Sequence, residues 1–356
     1  MPEAINYEKS SPAPEPVTRT LADQSAIPLT DKKLGIALVG LGKYATEQLG
    51  PALRETNHCF LAGIVTGTPS KLKDWQTKYS IPEENIYSYE NFEEIKHNKN
   101  IDILYIVLPN ALHAEFVTRG ARCGKHIICE KPMAVSVAEC DEMIRACKDA
   151  GVMLSIGYRL HFEPHHRDVM KMGQAKIFGA LEAVSAKHGS SDTKGWRLNK
   201  KLSGGGPLMD LGIYCIQAAR YVSGKEPVAV RVLDSDNPTE NEIERWLKWE
   251  MEFPDDVVAT CETSYETDLN SLHADAAHGW FELAPAYQYE GISGKTATGF
   301  IDLPEVNQQA LQMDDFALSI LTNKPSKVPG EMGRTDLKII EAIYESLKTG
   351  KRIELT

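Results

Sequence analysis

Between Leu34 and Gly157, short apolar runs alternate with amphipathic stretches along the chain. A short apolar run is typical of a buried strand, and apolar positions three and four residues apart are typical of a helix. The predicted strands are 34–39, 60–65, a short one near Ile86, 101–107, 126–129 and 152–157, and the predicted helices are 43–56, 70–79, 111–123 and 137–150. Strands that alternate with helices in this way predict a parallel, doubly wound sheet.

Beyond Gly157 the pattern changes to longer stretches in which apolar and polar residues alternate, as in antiparallel strands with one solvated face. The predicted strands are 179–188, 227–233, 243–253, 257–265, 280–283, 287–289 and 296–300, and the predicted helices are 165–172, 207–222, 308–322 and 335–349. The expected fold class is therefore α/β. A Rossmann domain over 34–156, with a doubly wound parallel sheet, precedes an α+β domain over 157–356 with a large, mainly antiparallel open sheet.

Residues 1–33 differ from the rest because Pro12, Pro14, Pro16 and Pro28 interrupt a polar stretch without periodicity. Such a segment is either an extended arm or a disordered tail. We assign residues 1–33 as an extended N-terminal arm, with disorder as the open alternative.

Composition narrows the function classes. The chain has 356 residues and a net charge of -11, which argues against nucleic acid and anionic membranes as partners. No apolar run approaches the roughly 20 residues of a membrane-spanning helix. The N-terminus has no signal-peptide pattern, so we expect a cytoplasmic protein, or a periplasmic one if a native export signal is missing. The seven cysteines show no CxxC spacing, so no metal site is expected.

A glycine-rich turn, Gly40-Leu41-Gly42-Lys43-Tyr44-Ala45, joins the first predicted strand to the first predicted helix. Gly40 allows the tight turn, and Gly42 lets the backbone approach a pyrophosphate at the helix N-terminus. Because the motif opens the first strand–helix unit, it predicts dinucleotide binding.

The end of the second predicted strand favours NADP over NAD. NAD sites usually place a carboxylate there for the ribose hydroxyls. This chain has Thr66-Gly67-Thr68 instead, followed by Lys71 on the next helix. A hydroxyl, free backbone N–H groups and a cation suit a 2′-phosphate. The alternative is that Lys71 is a solvated helix residue.

Two further loops follow predicted strands and are expected to line the nucleotide crevice. Leu108-Pro109-Asn110 follows the fourth strand, with His113 one turn later, where it either lines the crevice or packs the helix. Glu130-Lys131-Pro132 ends the fifth strand, beside the expected nicotinamide. Pro132 disfavours a helical conformation at Lys131, so the lysine can point into the cleft. Alternatively, Lys131 is a surface residue paired with Glu130.

The second half of the predicted site follows the glycine run 204–206. Asp210 and Tyr214 are four residues apart and share one face of a helix. A nearby ammonium lowers the pKa of a phenol, so Lys131 and Tyr214 would form a proton shuttle. Alternatively, both helix residues are structural. Trp196 and Arg197 precede the glycine run, and Arg159 lies at the domain junction; all three are candidates for the cleft.

These residues resemble the glucose–fructose oxidoreductase, inositol dehydrogenase and rhizopine-catabolism family, from about Leu34 to the C-terminus. The matching segments are 39–45, 108–116, 129–134, 196–198 and 204–214, and they are most similar to the glucose–fructose (aldose–aldose) oxidoreductase branch. The resemblance implies that Lys131, Asp210 and Tyr214 are catalytic and that the N-terminal arm embraces a tightly bound NADP. It also implies that Tyr89 lies near the adenine ribose and that Tyr289 faces the cleft.

The resemblance implies the following site. The cofactor would contact Gly40, Gly42, Lys43, Tyr44, Thr66, Gly67, Lys71, Tyr89, Leu108, Pro109, Asn110, His113, Glu130, Lys131, Arg159, Trp196 and Arg197. The sugar would contact Lys131, Arg159, Asp210, Tyr214 and Tyr289.

The expected activity is NADP-dependent oxidation of an aldose at C1 to a lactone, followed by reduction of a second sugar with the same bound nucleotide. Three alternatives remain open: an ordinary NADP-dependent sugar dehydrogenase or reductase with exchangeable cofactor, a non-catalytic NADP(H) sensor, and a NAD-dependent glycosidase. We expect a homodimer or homotetramer formed through the C-terminal sheet. The sequence does not identify the two sugars.

Overall fold

The computed structural model describes residues 32–239 and 241–355. The predicted arm over residues 1–33 therefore lies almost wholly outside the described residues. From Lys33 onward the chain forms one compact unit. The division into domains at residues 156 and 157 stays a prediction.

The first sheet is parallel throughout and has the strand order β3-β2-β1-β4-β5-β6. Its strands are β1 (Leu34–Val39), β2 (Cys59–Val65), β3 (Ile86–Tyr87), β4 (Ile103–Ile106), β5 (His126–Cys129) and β6 (Leu154–Ile156). All six residues of β1 are buried, because helices cover both faces of the sheet. The predicted Rossmann sheet is confirmed.

The helices of this part include α1 (Gly50–Ala52), α2 (Leu72–Tyr79), α3 (His113–Arg122) and α4 (Val137–Asp149). A π-helical turn, Ala45–Leu49, leads into α1. Short 3-10 segments occupy Pro69–Lys71, Glu83–Asn85, Phe92–His97 and Asn110–Leu112.

The second sheet has nine strands in the order β14-β13-β12-β11-β7-β10-β9-β8-β15. They are β7 (Leu181–Gly189), β8 (Ala229–Ser235), β9 (Trp246–Glu252), β10 (Val258–Ser264), β11 (Leu269–Ala276), β12 (Gly279–Leu283), β13 (Gly294–Thr296), β14 (Gly299–Ile301) and β15 (Ile353–Glu354). Only the β7–β10 pair is parallel among these described strands. The expected α/β class with a mainly antiparallel second sheet is confirmed.

The remaining helices are α5 (Pro164–Gln174), α6 (Lys200–Ser203), α7 (Ile213–Ser223), α8 (Gln308–Thr322) and α9 (Gly330–Thr349). Further 3-10 segments lie at Arg159–Phe162 and Gly195–Leu198, and a π-helical turn, Leu208–Gly212, leads into α7. Although α8 follows the second sheet in sequence, Met313 and Phe316 pack in one core with Leu38 and Ile64 of the first sheet. The C-terminal part thus covers one face of the Rossmann sheet.

Three element predictions were wrong, and two strands, β11 and β15, were missed. Residues 287–289 form no strand, because side chains rather than a neighbouring strand hold their backbone groups. The predicted strand 296–300 is the hairpin of β13 and β14, and β11 was not predicted at all. The predicted helix 43–56 ends at Ala52.

Candidate active site

The glycine turn leaves space at the N-terminus of the first helical segment. Gly40 has φ +102°, and a Cβ there would lie 2.7 Å from the carbonyl oxygen of Val107. At Gly42, by contrast, a Cβ would meet no atom within 4 Å. The turn therefore combines a backbone that requires glycine with open space in front of the helix N-terminus, which fits the pyrophosphate of a dinucleotide.

The candidate 2′-phosphate residues lie together beside this turn. The ammonium of Lys71 donates to the carbonyl of Leu41 at 2.7 Å, so it is held against the glycine turn. Thr66 directly follows β2, and its hydroxyl accepts from the N–H of Thr68 at 3.1 Å. The ring of Tyr89 packs on Gly67, where a Cβ would lie 2.7 Å from a ring carbon. A cation and a hydroxyl at this position fit NADP.

The predicted loop after β4 meets the lysine loop through His113. The ring nitrogens of this fully buried histidine lie 2.9 Å from the carbonyl oxygens of Pro132 and Leu108. Burial lowers the pKa of His113, so the neutral ring donates to one of the two carbonyls. His113 therefore joins the loops that follow β4 and β5. Its contact with the cofactor stays a prediction. Asn110 donates to the carbonyl of Ser203 at 2.8 Å, which joins this loop to the second half of the site.

Lys131 lies between the two halves of the molecule. Its ammonium donates to the carbonyl of Asp210 at 2.5 Å and to the carboxylate Oδ1 at 3.3 Å. The neighbouring Glu130 is buried and accepts from Tyr105 at 2.7 Å and from the N–H of Lys131 at 3.2 Å. Lys131 therefore pairs with Asp210, and the alternative of a surface lysine paired with Glu130 is wrong.

Asp210 is held by two cations and a phenol. Its Oδ2 accepts from Nε of Arg197 at 2.8 Å and from the hydroxyl of Tyr265 at 3.3 Å. Burial alone would raise the pKa of Asp210, but the charges and hydrogen bonds of Lys131 and Arg197 lower it to about 2. Asp210 is thus ionised at neutral pH and acts as a hydrogen-bond acceptor.

Tyr214 lies on the same face of its helix as Asp210 and is surrounded by cations and rings. The ammonium of Lys131 is 4.6 Å from its ring centroid, and the guanidinium carbon of Arg159 is 5.3 Å away. The ring of His188 meets it edge-on, at 5.1 Å between centroids. Burial and the charges of Lys131 and Arg159 lower the pKa of His188 to about 3, so this imidazole is neutral.

Arg159 fixes the segment that carries Tyr289. Its guanidinium donates to the carbonyl of Gln288 at 3.0 Å and also to Gln308 and the carbonyl of Tyr287. The guanidinium carbon lies 4.5 Å from the ring centroid of Tyr289, whose ring is 5.9 Å from that of Tyr44. The structure therefore links the glycine turn, through Tyr44 and Tyr289, to Arg159 and Tyr214.

Two predicted cleft residues have partners of their own. The guanidinium of Arg197 binds the carboxylate of Asp210. Its central carbon also lies 4.7 Å from the ring centroid of Trp196. Lys43 is exposed, and its ammonium is 3.9 Å from a carboxylate oxygen of Glu47, which lies four residues later on the same helical face. Both stay candidates for cofactor contacts.

Sequence reasoning missed Tyr265 and His188. Alternation along 257–265 indicated a strand but not which side chains meet Asp210. Val184, Ala186 and His188 are spaced two residues apart on β7 and therefore lie on the same side of the strand. Because Val184 and Ala186 are buried, this alternation would have predicted that His188 also faces inward.

Two kinds of feature are absent from residues 32–239 and 241–355. No group of three His, Cys, Asp or Glu side chains there is arranged to hold a metal ion. Within the same ranges, no helix combines the length and apolarity needed to cross a membrane. The seven cysteines are buried and unpaired, so they pack as small apolar side chains.

Comparison with known proteins finds a matching family model for each half of the chain. Residues 34–158 match the model of an oxidoreductase family with an NAD-binding Rossmann fold, and residues 166–282 match the GFO/IDH/MocA C-terminal domain. The chain is 40% identical to a crystallised aldose–aldose oxidoreductase from Caulobacter crescentus in complex with glycerol. That comparison has a TM-score of 0.88 and covers 91% of this chain and 100% of the other.

Two further relatives are more distant. A D-xylose 1-dehydrogenase [NADP(+)] from Haloarcula marismortui is 29% identical over 92% of this chain and 94% of its own length. A levoglucosan dehydrogenase in complex with NADH and levoglucosan is 18% identical and has a TM-score of 0.77 over 91% of this chain and 99% of the other, which shows the shared fold.

Proposed function

The chain belongs to the GFO/IDH/MocA oxidoreductase family, and from this premise we propose that it is an NADP-dependent sugar oxidoreductase. It oxidises an aldose at C1 to a lactone and reduces a second sugar with the same tightly bound NADP(H). The observation that carries this proposal is the meeting of Lys131, Asp210 and Tyr214 beside the end of β5.

Tyr214 is the proposed proton-transfer residue. When bound, the nicotinamide ring supplies the hydride acceptor for the first sugar and the hydride donor for the second. The phenolate of Tyr214 takes the proton of the anomeric hydroxyl as C1 loses its hydride and the C1–O bond becomes a carbonyl. The phenol formed in this way then gives the proton to the carbonyl oxygen of the second sugar as that carbon gains the hydride. General acid–base help of this kind contributes roughly 10²–10⁴-fold.

Lys131 and Asp210 orient the sugar. The ammonium of Lys131 places a positive charge beside the oxygen that loses or gains the proton, and Asp210 holds that ammonium in place. Because Asp210 is ionised, it accepts a hydrogen bond from a sugar hydroxyl and does not donate a proton. Orientation of the reacting groups supplies much of the remaining rate.

Three kinds of observation support NADP. Lys71 and Thr66 present a cation and a hydroxyl beside the glycine turn, and no carboxylate ends β2. The Haloarcula relative is named as NADP-dependent. The name of the Caulobacter relative, an aldose–aldose oxidoreductase, supports the use of two sugars and not the choice of nucleotide. Retention of NADP between half-reactions and an embrace by the arm of residues 1–33 are part of the proposal.

Self-association is proposed on the solvent-facing side of the second sheet. Trp280, Glu282 and Lys295 occupy this side on adjacent strands, and Phe300 next to them is 80% exposed. An open sheet face that carries aromatic side chains suits a second copy of the chain.

The resemblance to the xylose dehydrogenase favours one alternative, an NADP-dependent dehydrogenase that exchanges its cofactor in each cycle. Both functions are tested by purifying the chain, separating loose nucleotide by gel filtration and measuring oxidation of glucose and xylose with NADP or NAD added. The proposal predicts that nucleotide co-elutes with the protein. Without added NADP, one sugar alone should be oxidised only to the extent of the bound nucleotide, and continued oxidation should require a second sugar. Protein that elutes without nucleotide and oxidises one sugar continuously with added NADP is the dehydrogenase.

A further inference from the structure

A buried carboxylate holds the start of the helical segment that carries Asp210 and Tyr214. Glu244 is 2% exposed, and its Oε2 accepts from the N–H of Gly206 at 3.1 Å. Its Oε1 accepts from the N–H of Leu208, also at 3.1 Å. The first N–H groups of a helix have no acceptor within the helix, so Glu244 satisfies two of them from a distant part of the chain.

The glycine run 204–206 leaves room for this arrangement. A Cβ on Gly206 would lie 2.1 Å from the backbone oxygen of Glu244 and 2.8 Å from its carboxyl carbon. A Cβ on Gly205 would lie 2.1 Å from the hydroxyl oxygen of Tyr344, which donates to Oε1 of Glu244 at 3.0 Å. Two consecutive glycines therefore admit Glu244 and Tyr344 against the backbone that precedes the helix.

The same backbone sets the position of Asp210. Leu208, which donates to Glu244, and Asp210 belong to one π-helical turn, Leu208–Gly212. Both oxygens that hold the ammonium of Lys131, the carbonyl and Oδ1, belong to Asp210. A shift of the helix start therefore moves both acceptors of Lys131 together and changes the position of Tyr214 on the next turn.

We propose that Glu244 is a positioning residue, whose buried carboxylate fixes the start of the helical segment so that Asp210 and Tyr214 meet Lys131. It acts through the backbone of Gly206 and Leu208 and not on the sugar. The inference rests on the proposed function, because its main consequence is measured as sugar oxidation.

The charge of Glu244 makes this role depend on pH. The titratable groups that face it are Tyr344 from α9 and Tyr265 at the end of β10. Burial raises the pKa of Glu244, whereas hydrogen bonds from Leu208, Gly206 and Tyr344 oppose that rise. Positioning is therefore complete above the raised pKa of Glu244 and is lost as the pH falls through it.

The test uses E244Q, with Y344F as the milder variant. A glutamine keeps the shape but sets an amide N–H group against one of the two backbone N–H donors. We expect E244Q to lower kcat for sugar oxidation about 10²-fold, because a small displacement disturbs the reacting geometry. The amount of nucleotide retained per protein molecule should change less than about twofold, because Glu244 acts on the helix start and not on the nucleotide. In the wild-type protein, kcat should fall at low pH as Glu244 becomes protonated. This acid limb of the pH profile of kcat should be absent from E244Q, which has no carboxyl group at this position.

Y344F leaves both backbone hydrogen bonds of Glu244 in place. The lost phenol hydrogen bond no longer lowers the pKa of Glu244, so the acid limb of kcat should move to higher pH. If E244Q does not fold, Y344F decides: an acid limb at the wild-type position overturns the proposal. A folded E244Q with wild-type kcat and pH profile, even with a lower Tm, also overturns it.

Hydrogen exchange at the amides of Gly206 and Leu208 separates this inference from the proposed function. If the wild-type protein oxidises no sugar, the proposed function fails and the exchange measurement still applies. Faster exchange at these two amides in E244Q supports the positioning contact, and wild-type exchange rates in E244Q contradict it.

Discussion

The ammonium of Lys131 donates to both the backbone carbonyl and the carboxylate of Asp210, although the two residues are 79 positions apart. Lys131 lies in the loop after β5 of the parallel sheet. Asp210 lies in a helical turn that packs on the mainly antiparallel second sheet. The candidate site is therefore complete only where both halves of the chain have folded against each other.

Replacement of Lys131 by methionine should reduce kcat by roughly 10²-fold or more, because the ammonium beside the reacting oxygen is lost. Methionine fills a similar volume, so nucleotide binding should stay close to that of the wild-type protein. Sugar oxidation and nucleotide fluorescence titration on the same preparation measure the two effects. Normal turnover by K131M would show that the lysine has no catalytic role.

Replacement of Tyr214 by phenylalanine should lower kcat roughly 10²–10⁴-fold with a small change in the KM for the sugar, because only the proton-transferring hydroxyl is removed. Y79F is the matched control, because it removes a phenol hydroxyl from the end of α2 that is buried and has no hydrogen-bond partner in the described part of the chain. It should keep wild-type kcat. The comparison is made by steady-state kinetics with glucose and xylose. Equal rates for Y214F and Y79F would assign proton transfer to another group.

The stability of the chain should depend on the ionisation of Asp210. Its pKa of about 2 lies below the ordinary value of 3.8, so the ionised form stabilises the folded state. This contribution is present above the unfolded pKa and is lost as the pH falls through the folded pKa. At 1.36 kcal/mol per pKa unit, it amounts to about 2 kcal/mol.

Urea denaturation at several pH values between about 5 and 2 measures this contribution. The wild-type free energy of unfolding should fall by about 2 kcal/mol more than that of D210N over this range, because only the wild-type protein has the carboxyl to protonate. Parallel curves for the two proteins would mean that Asp210 is not held in the ionised form.

Lys71 should discriminate NADP from NAD. Loss of a charge-assisted hydrogen bond to phosphate costs about 1.5–3 kcal/mol, so K71A should weaken NADP binding about 10- to 100-fold. Its affinity for NAD should change little, since NAD lacks the 2′-phosphate. K73A removes an exposed lysine from the first turn of α2, which directly follows Lys71, and serves as control. Similar losses for both nucleotides in K71A would place Lys71 elsewhere in the site.

Local sequence patterns predicted much of the fold. The bounds of β1, β5 and α8 were predicted residue for residue, because each is an uninterrupted apolar or periodic stretch with clear limits. By contrast, β11 was missed because Asn270, Ser271 and His273 make it more polar than a typical strand. Periodicity also could not show that α8 covers the Rossmann sheet, because it reports an apolar face but not the partner of that face.

The residues of the candidate site likewise fall into those that local sequence predicted and those that it did not. Lys131, Asp210 and Tyr214 were predicted because each lies in a recognisable stretch of sequence. Glu244 and Tyr265 were not, since their roles depend on contacts with residues 36 to 55 positions away. A strand was wrongly predicted at 287–289, because hydrogen bonds from Arg159 and to Asn270, which no local pattern reports, hold that backbone.

The central claim is that one retained NADP serves two sugars. It is tested most directly by adding glucose, or xylose in parallel, to the purified protein without added nicotinamide and following the absorbance of the reduced nicotinamide. The account predicts a single burst proportional to the protein concentration, reversed when a second sugar is added. Absence of a burst, followed by a continuous rise once NADP is supplied, would contradict it.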